Sequence, residues 1–206
     1  MPKCKHAVFR FMALISLLLT ACSIHSPFSL AKNQTSSEWR IHQKSVCRLT
    51  HYKTTGAVVY LSSQQKVYAR FNWHEISVNR YRLILTNPIG SPEIDLNVKD
   101  GVAELINNQG KHYFSDDPQI LIQKLCGISI PLKDLRKWIL GLPGDATDFT
   151  LDSRGYLRTL HYSYNGQSWI VTYKYYEEDT MPALPSHLEL RHGENYIKLK
   201  IDSWNL

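Results

Sequence analysis

The chain has 206 residues, of which 43% are hydrophobic, 11% aromatic and 20% charged. This length suits one domain with a real hydrophobic core, and the composition excludes a largely disordered, collagen-like or multi-span membrane protein. The formal net charge of +6 suggests nucleic acid as a partner, but only if the charges lie in the folded domain.

The amino-terminal residues 1–21 have the pattern of a secretory signal peptide. Three basic residues precede a nine-residue apolar run at 11–19 (FMALISLLL), which is far shorter than the roughly 20 residues of a membrane-spanning helix. The letters LTAC end at Cys22 and resemble a bacterial lipobox, so we expect cleavage before Cys22 and its acylation. The alternative is an ordinary signal peptide with an incidental cysteine.

Cleavage would change the charge of the chain and define its domains. Residues 1–21 carry three basic residues and no acidic one, so their removal lowers the net charge from +6 to +3. No basic cluster remains, and export separates the protein from nucleic acid. Residues 22–37 are rich in serine and aperiodic, which predicts a flexible tether. Residues 38–206 are then one domain.

The first predicted element of this domain is a helix from about Ser37 to Tyr52. Thr35 and Glu38 have the spacing of a capping box. Apolar residues then recur at roughly helical spacing, at Trp39, Val46, Leu49 and Tyr52.

Strands are predicted where apolar and polar residues alternate. The Asn165-Gly166 pair is the strongest hairpin signal, and on the segment after it Trp169, Tyr173 and Tyr175 share one face. The predicted strands are 66–73, 80–86, 92–98, 101–106, 111–114, 156–163, 168–176, 186–191 and 195–203.

Two helices interrupt the strands. The first has Asp116 or Asp117 as its cap, Pro118 in its first turn and Gly127 at its end. The second starts at Pro131, and its apolar stripe is Leu132, Leu135, Trp138, Ile139 and Leu142. The fold class is therefore mainly β. We expect a curled antiparallel sheet forming a half-open barrel, with about three helices plugging or lidding its concave side.

No motif for nucleotide binding, hydrolysis or zinc binding occurs in the sequence. Asp116 and Asp117 are a possible acid pair, but their position before Pro118 favours a helix cap. We therefore predict a protein that is not an enzyme and has no cofactor and no metal site.

The apolar faces of the predicted elements are rich in aromatic residues. Each aromatic residue alone is explained by an ordinary core, but together they favour a curled sheet around an apolar ligand. The predicted cavity residues are Phe71, Trp73, Leu83, Leu85, Trp138, Trp169 and Tyr173.

The loop 85–92 (LTNPIGSP) carries an aliphatic residue among turn residues. Ile89 either folds back onto the core or projects outward between Pro88 and Gly90. Burying one such side chain in a bilayer is favourable by roughly 1.5–3 kcal/mol. The second interpretation therefore predicts a membrane-insertion loop, with the lipid on Cys22 as the anchor.

Five stretches give the chain a resemblance to the LolB family of outer-membrane lipoprotein receptors. They extend over nearly the whole sequence: LTACS (19–23), QQKVYARFNW (64–73), RYRLILTNPIGS (80–91), IPLKDLRKWILGLPGDATDF (130–149) and IKLKIDSW (197–204). The resemblance implies a half-open antiparallel barrel with a helical lid, in agreement with the alternation described above.

It also implies a function. Members accept acylated lipoproteins from the soluble periplasmic carrier LolA and insert them into outer-membrane lipid without nucleotide. The exposed leucine of the family's protruding loop corresponds to Ile89, so the residue type differs while its apolar character is kept. The implied protein is a monomer at the inner leaflet of the outer membrane, facing the periplasm, and Ser23 after Cys22 is compatible with that location. The alternatives are a lipoprotein that binds another apolar ligand or stabilises an envelope assembly, and a periplasmic hydrolase.

Overall fold

A computed structural model of the chain describes residues 36–164 and 166–206. The helices are α1 (Ser37–Val46), α2 (Pro118–Cys126) and α3 (Leu132–Trp138). The strands are β1 (Tyr52–Leu61), β2 (Lys66–Ser77), β3 (Arg80–Thr86), β4 (Pro92–Lys99), β5 (Val102–Asn107), β6 (His112–Ser115), β7 (Asp148–Leu151), β8 (Leu157–Tyr164), β9 (Gln167–Glu177), β10 (Leu184–His192) and β11 (Asn195–Asn205).

All eleven strands belong to one antiparallel sheet with the order β6-β5-β4-β3-β2-β1-β11-β10-β9-β8-β7. Consecutive strands pair with each other except β6 and β7, which α2 and α3 separate in the chain, and β1 pairs with β11 in the middle of the sheet. The sheet does not close, because β6 and β7 remain at its two edges. The predicted fold class, mainly β with three helices, is confirmed.

Helix α1 is shorter than predicted. Ser36 is its N-cap and accepts a hydrogen bond from the amide of Trp39 at 3.2 Å, whereas the predicted cap Thr35 lies outside the described residues. The helix ends at Val46. Tyr52 starts β1, a strand that the sequence does not predict. The apolar residues Leu49 and Tyr52 happen to continue the helical spacing beyond Val46, so the pattern indicates a longer helix.

The two later helices form as their local signals predict. Asp117 caps α2 by accepting from the amide of Gln119 at 2.8 Å, Pro118 is its first residue, and Gly127 ends it with φ of 69°. Asp117 is therefore the helix cap of the Asp116–Asp117 pair, while Asp116 accepts from the hydroxyl of Ser115. Helix α3 ends at Trp138 with Ile139 as its C-cap, so Ile139 and Leu142 of the predicted stripe lie beyond its last residue.

Alternation correctly places the buried face of most strands. On β2, Ala69, Phe71 and Trp73 are buried. The prediction for Tyr175 is wrong, since its side chain is 64% exposed. The pairing of β9 with β10 shifts register on both sides of His187, opposite Tyr175, and this irregularity turns Tyr176 inward in its place.

Cys47 is exposed, Cys126 is half-buried, and both are free thiols. Burial raises the pKa of the Cys126 thiol to about 11, so it stays protonated at neutral pH. Within residues 36–164 and 166–206, no helix is long and apolar enough to cross a membrane. The same residues contain no group of three or more metal-ligating side chains.

Candidate functional site: an apolar cavity beside an exposed isoleucine

A cavity of about 120 Å³ lies between the concave face of the sheet and the helices. Its walls are almost entirely hydrocarbon, because strand residues on the buried face alternate with solvent-facing polar ones. Thr54 brings a hydroxyl to the wall, and this hydroxyl donates to the carbonyl of Ser203 at 2.8 Å. The lining residues are Thr54, Val58, Tyr60, Val67, Ala69, Phe71, Trp73, Leu83, Leu85, Ile122, Ile128, Ile130, Leu132, Leu135, Ile139, Ile197, Leu199 and Ile201.

The cavity reaches one particular end of the sheet. Antiparallel pairing places the β1–β2, β3–β4 and β5–β6 connections at the same end, which we call the loop end. Tyr60, Val67, Leu85 and Ile197 line the cavity and lie within two residues of the strand ends there. The cavity therefore extends to the loop end, whereas at the opposite end only Thr54 of its wall lies as near to a strand end.

The opposite end is sealed by a buried ion pair between the sheet and α3, so we call it the ion-pair end. Two guanidinium nitrogens of Arg136 donate to the carboxylate of Glu75, one of them at 3.3 Å. The Trp73 indole also donates to this carboxylate, at 3.1 Å. Arg136 lies 4.2 Å from the ring centre of Tyr81, which stacks on Trp73. Burial raises the pKa of Tyr81 to about 12, and Arg136 opposes this shift.

Helix α3 is fixed to the sheet on its other side too. The Tyr173 hydroxyl donates to the carbonyl of Trp138 at 3.0 Å, and the Trp138 indole donates to the carbonyl of Pro143 at 3.3 Å. Burial, together with a hydrogen bond to Asp134 of α3, raises the pKa of Tyr162. Helix α3 therefore has polar anchors on both sides of the cavity.

Helix α2 contributes Ile122 to the cavity, but it is held differently. Among the described residues, its hydrogen bonds are its own backbone bonds and its cap. Its buried side chains, Leu121 and Ile122, make apolar contacts only. The connection after it is attached at the loop end by a bond of 3.3 Å between the side chains of Gln167 and Ser129.

Ile89 projects from the β3–β4 connection at the loop end and is 89% exposed. It therefore does not fold back onto the core. The Asn87 side-chain oxygen accepts from the amides of Ile89 at 3.2 Å and Ser91 at 3.0 Å. Two backbone bonds of 2.9 Å, from Asn87 to Ser91 and from Gly90 to Asn87, complete the turn. Gly90 has φ of 93°, which favours glycine.

Two other turns have the same bonding pattern, at 107–111 and 152–156. In each, the first residue is Asn or Asp, and its side-chain oxygen accepts the amides of the third and fifth residues. The third residue is Gln109 in one and Arg154 in the other, where the turn at 87–91 has Ile89. We call this third residue the tip of the turn. Since the same turn is formed with a polar tip elsewhere, its geometry does not require an apolar residue at position 89.

Comparison with known proteins identifies the family. The profile described as "Outer membrane lipoprotein LolB" matches residues 50–204. The chain belongs to the LolB family. The outer-membrane lipoprotein LolB of Sodalis glossinidius is 68% identical over 201 residues, covering 98% of both chains. The LolB of Yersinia enterocolitica is 50% identical over the full length of both chains.

Solved structures extend the likeness of this LolB-family chain to its fold. A LolA superfamily protein from Nitrosomonas europaea has a TM-score of 0.54 at 9% identity, covering 81% of this chain and 92% of that one. A putative outer membrane lipoprotein-sorting protein domain from Vibrio parahaemolyticus also has a TM-score of 0.54, with coverage of 82% and 88%. The fold is therefore shared with distant proteins that have little sequence in common with it.

The structure divides the predicted cavity residues of this LolB-family protein into two groups. Phe71, Trp73, Leu83 and Leu85 line the cavity. The other three do not line it. Trp138 is the last residue of α3, Trp169 packs against its ring, and the Tyr173 hydroxyl bonds to its carbonyl. All three are buried, and Trp138 also packs against Tyr162.

Residues of β1 and β11 also line the cavity, and the sequence does not predict this. The alternation of Ile197, Leu199 and Ile201 is visible in the sequence, but alternation alone does not tell a cavity wall from an ordinary core. Val58 and Tyr60 lie on β1, the strand that was not predicted. The Glu75–Arg136 pair has no local signal, since its partners are 61 residues apart.

Proposed function

We propose that this protein is the outer-membrane lipoprotein receptor of its cell, and that its cavity holds the acyl chains of the lipoproteins it receives. It accepts them from the soluble periplasmic carrier LolA and releases them into the inner leaflet of the outer membrane. The observation that carries the proposal is an apolar cavity that reaches the same end of the sheet as the exposed Ile89.

The lining of the cavity supports hydrocarbon as its ligand. An acyl chain exposed to water costs about 0.8 kcal/mol for each methylene, so a lipoprotein with several chains cannot cross the periplasm unshielded. The wall offers no unpaired charge, and the Thr54 hydroxyl is already bonded. Transfer between two such cavities needs no nucleotide, since a difference of only 1.4 kcal/mol gives tenfold preference.

The size of the cavity indicates that one helix must move during loading. Its volume of about 120 Å³ is below the roughly 300–1,000 Å³ of ordinary ligand pockets. Helix α3 is held by Arg136, Trp138 and Asp134, so it forms the fixed floor. Helix α2, which has only apolar contacts and the glycine end at Gly127, moves outward and widens the cavity at the loop end.

Release uses Ile89 at the same end. Insertion of its side chain into the bilayer is favourable by roughly 1.5–3 kcal/mol, enough to bring the cavity to the membrane surface but too little to anchor the protein. The anchor is the lipid on Cys22, and the tether at 22–37 lets the domain reorient. The signal peptide at 1–21, Cys22 and most of that tether lie outside the described residues.

A transfer assay with the full lipidated chain tests this function. The receptor is reconstituted in liposomes and mixed with carrier loaded with a fluorescently labelled lipoprotein. Affinity capture of the receptor separates label bound to it from label in the bilayer. We expect label to leave the carrier and to reach the bilayer without nucleotide. If no label leaves the carrier, the receptor proposal is wrong.

The variant Ile89→Gln isolates the membrane step, because glutamine occupies the same tip position in the turn at 107–111. It should take label from the carrier as fast as the wild type and release it more slowly, so that loaded receptor accumulates. The matched control is Gln109→Ala, which changes the corresponding tip and should release normally. Normal delivery by Ile89→Gln would remove the role given to the loop.

A further inference from the structure

The carboxylate of Glu93 joins two turns at the loop end. Glu93 lies at the start of β4, just after the Ile89 turn. One of its oxygens accepts from the side-chain amide of Asn87 at 3.0 Å, and the other accepts from the side-chain amide of Asn108 at 2.9 Å. Asn87 belongs to the turn that carries Ile89, and Asn108 belongs to the turn at 107–111. A single charged side chain therefore connects the two.

The connection determines how the backbone at Ile89 is held. The oxygen of the Asn87 side chain accepts from the amides of Ile89 and Ser91, while its nitrogen donates to Glu93. Both ends of this short side chain are occupied, so it cannot rotate without breaking bonds at both ends. Glu93 thereby fixes Asn87, and Asn87 fixes the peptide on which Ile89 projects.

The turn at 152–156 has the same bonding pattern but, within the part of the chain that the structure describes, no carboxylate that joins it to a second turn in the way that Glu93 joins Asn87 to Asn108. In the turn at 152–156, the tip residue Arg154 bonds back to Asp152 and also to Glu178 of the β9–β10 connection. Its own tip is thus tied down to the protein surface. In the turn at 87–91, the tip remains free and the bonds are made by the residue at its base.

We infer that the turns at 87–91 and 107–111 form one rigid platform that presents Ile89 to the membrane, and that Glu93 is the positioning residue that joins them. This inference rests on the proposed function, since it concerns how Ile89 enters the lipid surface. Inserting a single isoleucine gains little free energy, and ordering even one or two backbone residues costs a comparable amount. A loop that had to be ordered on contact would lose most of that gain. A loop held beforehand by Glu93 retains it.

The test compares Glu93→Ala with Glu104→Ala in the liposome transfer assay. Both changes remove a partly exposed carboxylate from neighbouring strands. The hydrogen bond of Glu104, however, is to His112, which lies outside both turns. Glu93→Ala should accept label from the carrier normally and release it about tenfold more slowly, the ratio that 1.4 kcal/mol produces. Glu104→Ala should release like the wild type.

The double variant Glu93→Ala/Ile89→Gln separates positioning from a general structural effect. If Glu93 acts through Ile89, the double variant should release no more slowly than Ile89→Gln alone. Asn108→Ala breaks only the bridge and changes an exposed turn residue, so it should slow release even if Glu93→Ala folds poorly. Faster amide hydrogen exchange at Ile89 and Ser91 should accompany each slow variant.

Each result has a distinct consequence. If Ile89→Gln releases slowly while Glu93→Ala and Asn108→Ala release normally, the platform is wrong and the proposed membrane step stands. A defect in Glu93→Ala that adds to that of Ile89→Gln also overturns the platform. If Ile89→Gln releases normally, the membrane step itself fails, and the inference about Glu93 fails with it.

Discussion

Replacing Arg136 with methionine should destabilise the protein by about 3 kcal/mol. Methionine keeps most of the aliphatic length of the side chain but removes the charge that compensates Glu75. The Glu75 side chain is only 8% exposed and that of Arg136 is 19% exposed. Loss of one partner therefore leaves a carboxylate largely out of water, which is costlier than loss of an exposed pair.

The magnitude follows from the bonds that disappear. Two charge-assisted hydrogen bonds to Glu75 are lost, each contributing about 1.5 kcal/mol or more. The bond of 2.8 Å from Arg136 to the carbonyl of Val78 and the contact over the ring of Tyr81 are lost as well. The Trp73 indole remains as a donor to Glu75 at 3.1 Å and limits the penalty. A value at the lower end of the range for buried pairs, about 3 kcal/mol, is expected.

Urea unfolding monitored by circular dichroism measures this effect. The control is Arg82→Met, because Arg82 makes a two-bond pair with Asp95 while its side chain is 50% exposed; it should lose less than about 1 kcal/mol. The double variant Glu75→Leu/Arg136→Met should recover part of the stability, since no uncompensated charge remains but the Trp73 indole loses its acceptor. Equal losses in Arg136→Met and Arg82→Met, or no recovery in the double variant, would refute the reasoning.

Three further predictions concern the cavity and the core. A Cβ at Gly56 would lie 2.1 Å from a carbonyl oxygen of β11 and 2.7 Å from the ring of Phe71. The variant Gly56→Ala should therefore lose at least about 2 kcal/mol of unfolding free energy in urea and bind a fluorescent fatty acid more weakly. Unchanged binding would show that the Phe71 ring does not shape the cavity. Tyr173→Phe removes the bond to Trp138 and should cost about 1 kcal/mol without altering fatty-acid binding, and altered binding would place Tyr173 in the site. Burial lowers the pKa of His42 below its ordinary 6.5, so the unfolded state takes up the proton first as the pH falls. The free energy of unfolding should therefore fall as pH drops below about 6.5. The variant His42→Phe should flatten this pH dependence, and an unchanged slope would assign the dependence to other groups.

Much of the sheet could be predicted because its signals are local. Polar and apolar residues alternate over β2, β3, β4 and β11, and the hairpin turns between them carry Asn and Gly. The ends of α2 were equally clear, since Asp117, Pro118 and Gly127 each act on the nearest backbone. The exposure of Ile89 depends on the same kind of local chemistry, in the bonds that Asn87 makes within its own turn.

Features that depend on tertiary contacts were beyond these signals. Strand β1 lacks a clean alternation, and its pairing with β11 is determined by residues at the other end of the chain. Which residues of the buried face line the cavity depends on where α3 packs on the sheet. Trp169 and Tyr173 contact Trp138 of that helix, whereas Leu83 lines the cavity. Glu93 was missed because its two Asn partners are 6 and 15 residues away, and neither spacing is a recognised motif.

The pairing of β1 with β11 has a consequence for how the chain can be exported. Tyr60 pairs with Ile197 and Lys53 with Asn205, so the centre of the sheet is the last part that can form as the chain emerges from one end to the other. Pairings between such distant residues also form slowly. A polypeptide that must cross the inner membrane unfolded benefits from this order, because β1–β6 alone form part of a sheet in which β1 is paired on only one edge. Truncation within β11 would not trim an edge but would split the sheet into two halves, each with an exposed strand that invites aggregation.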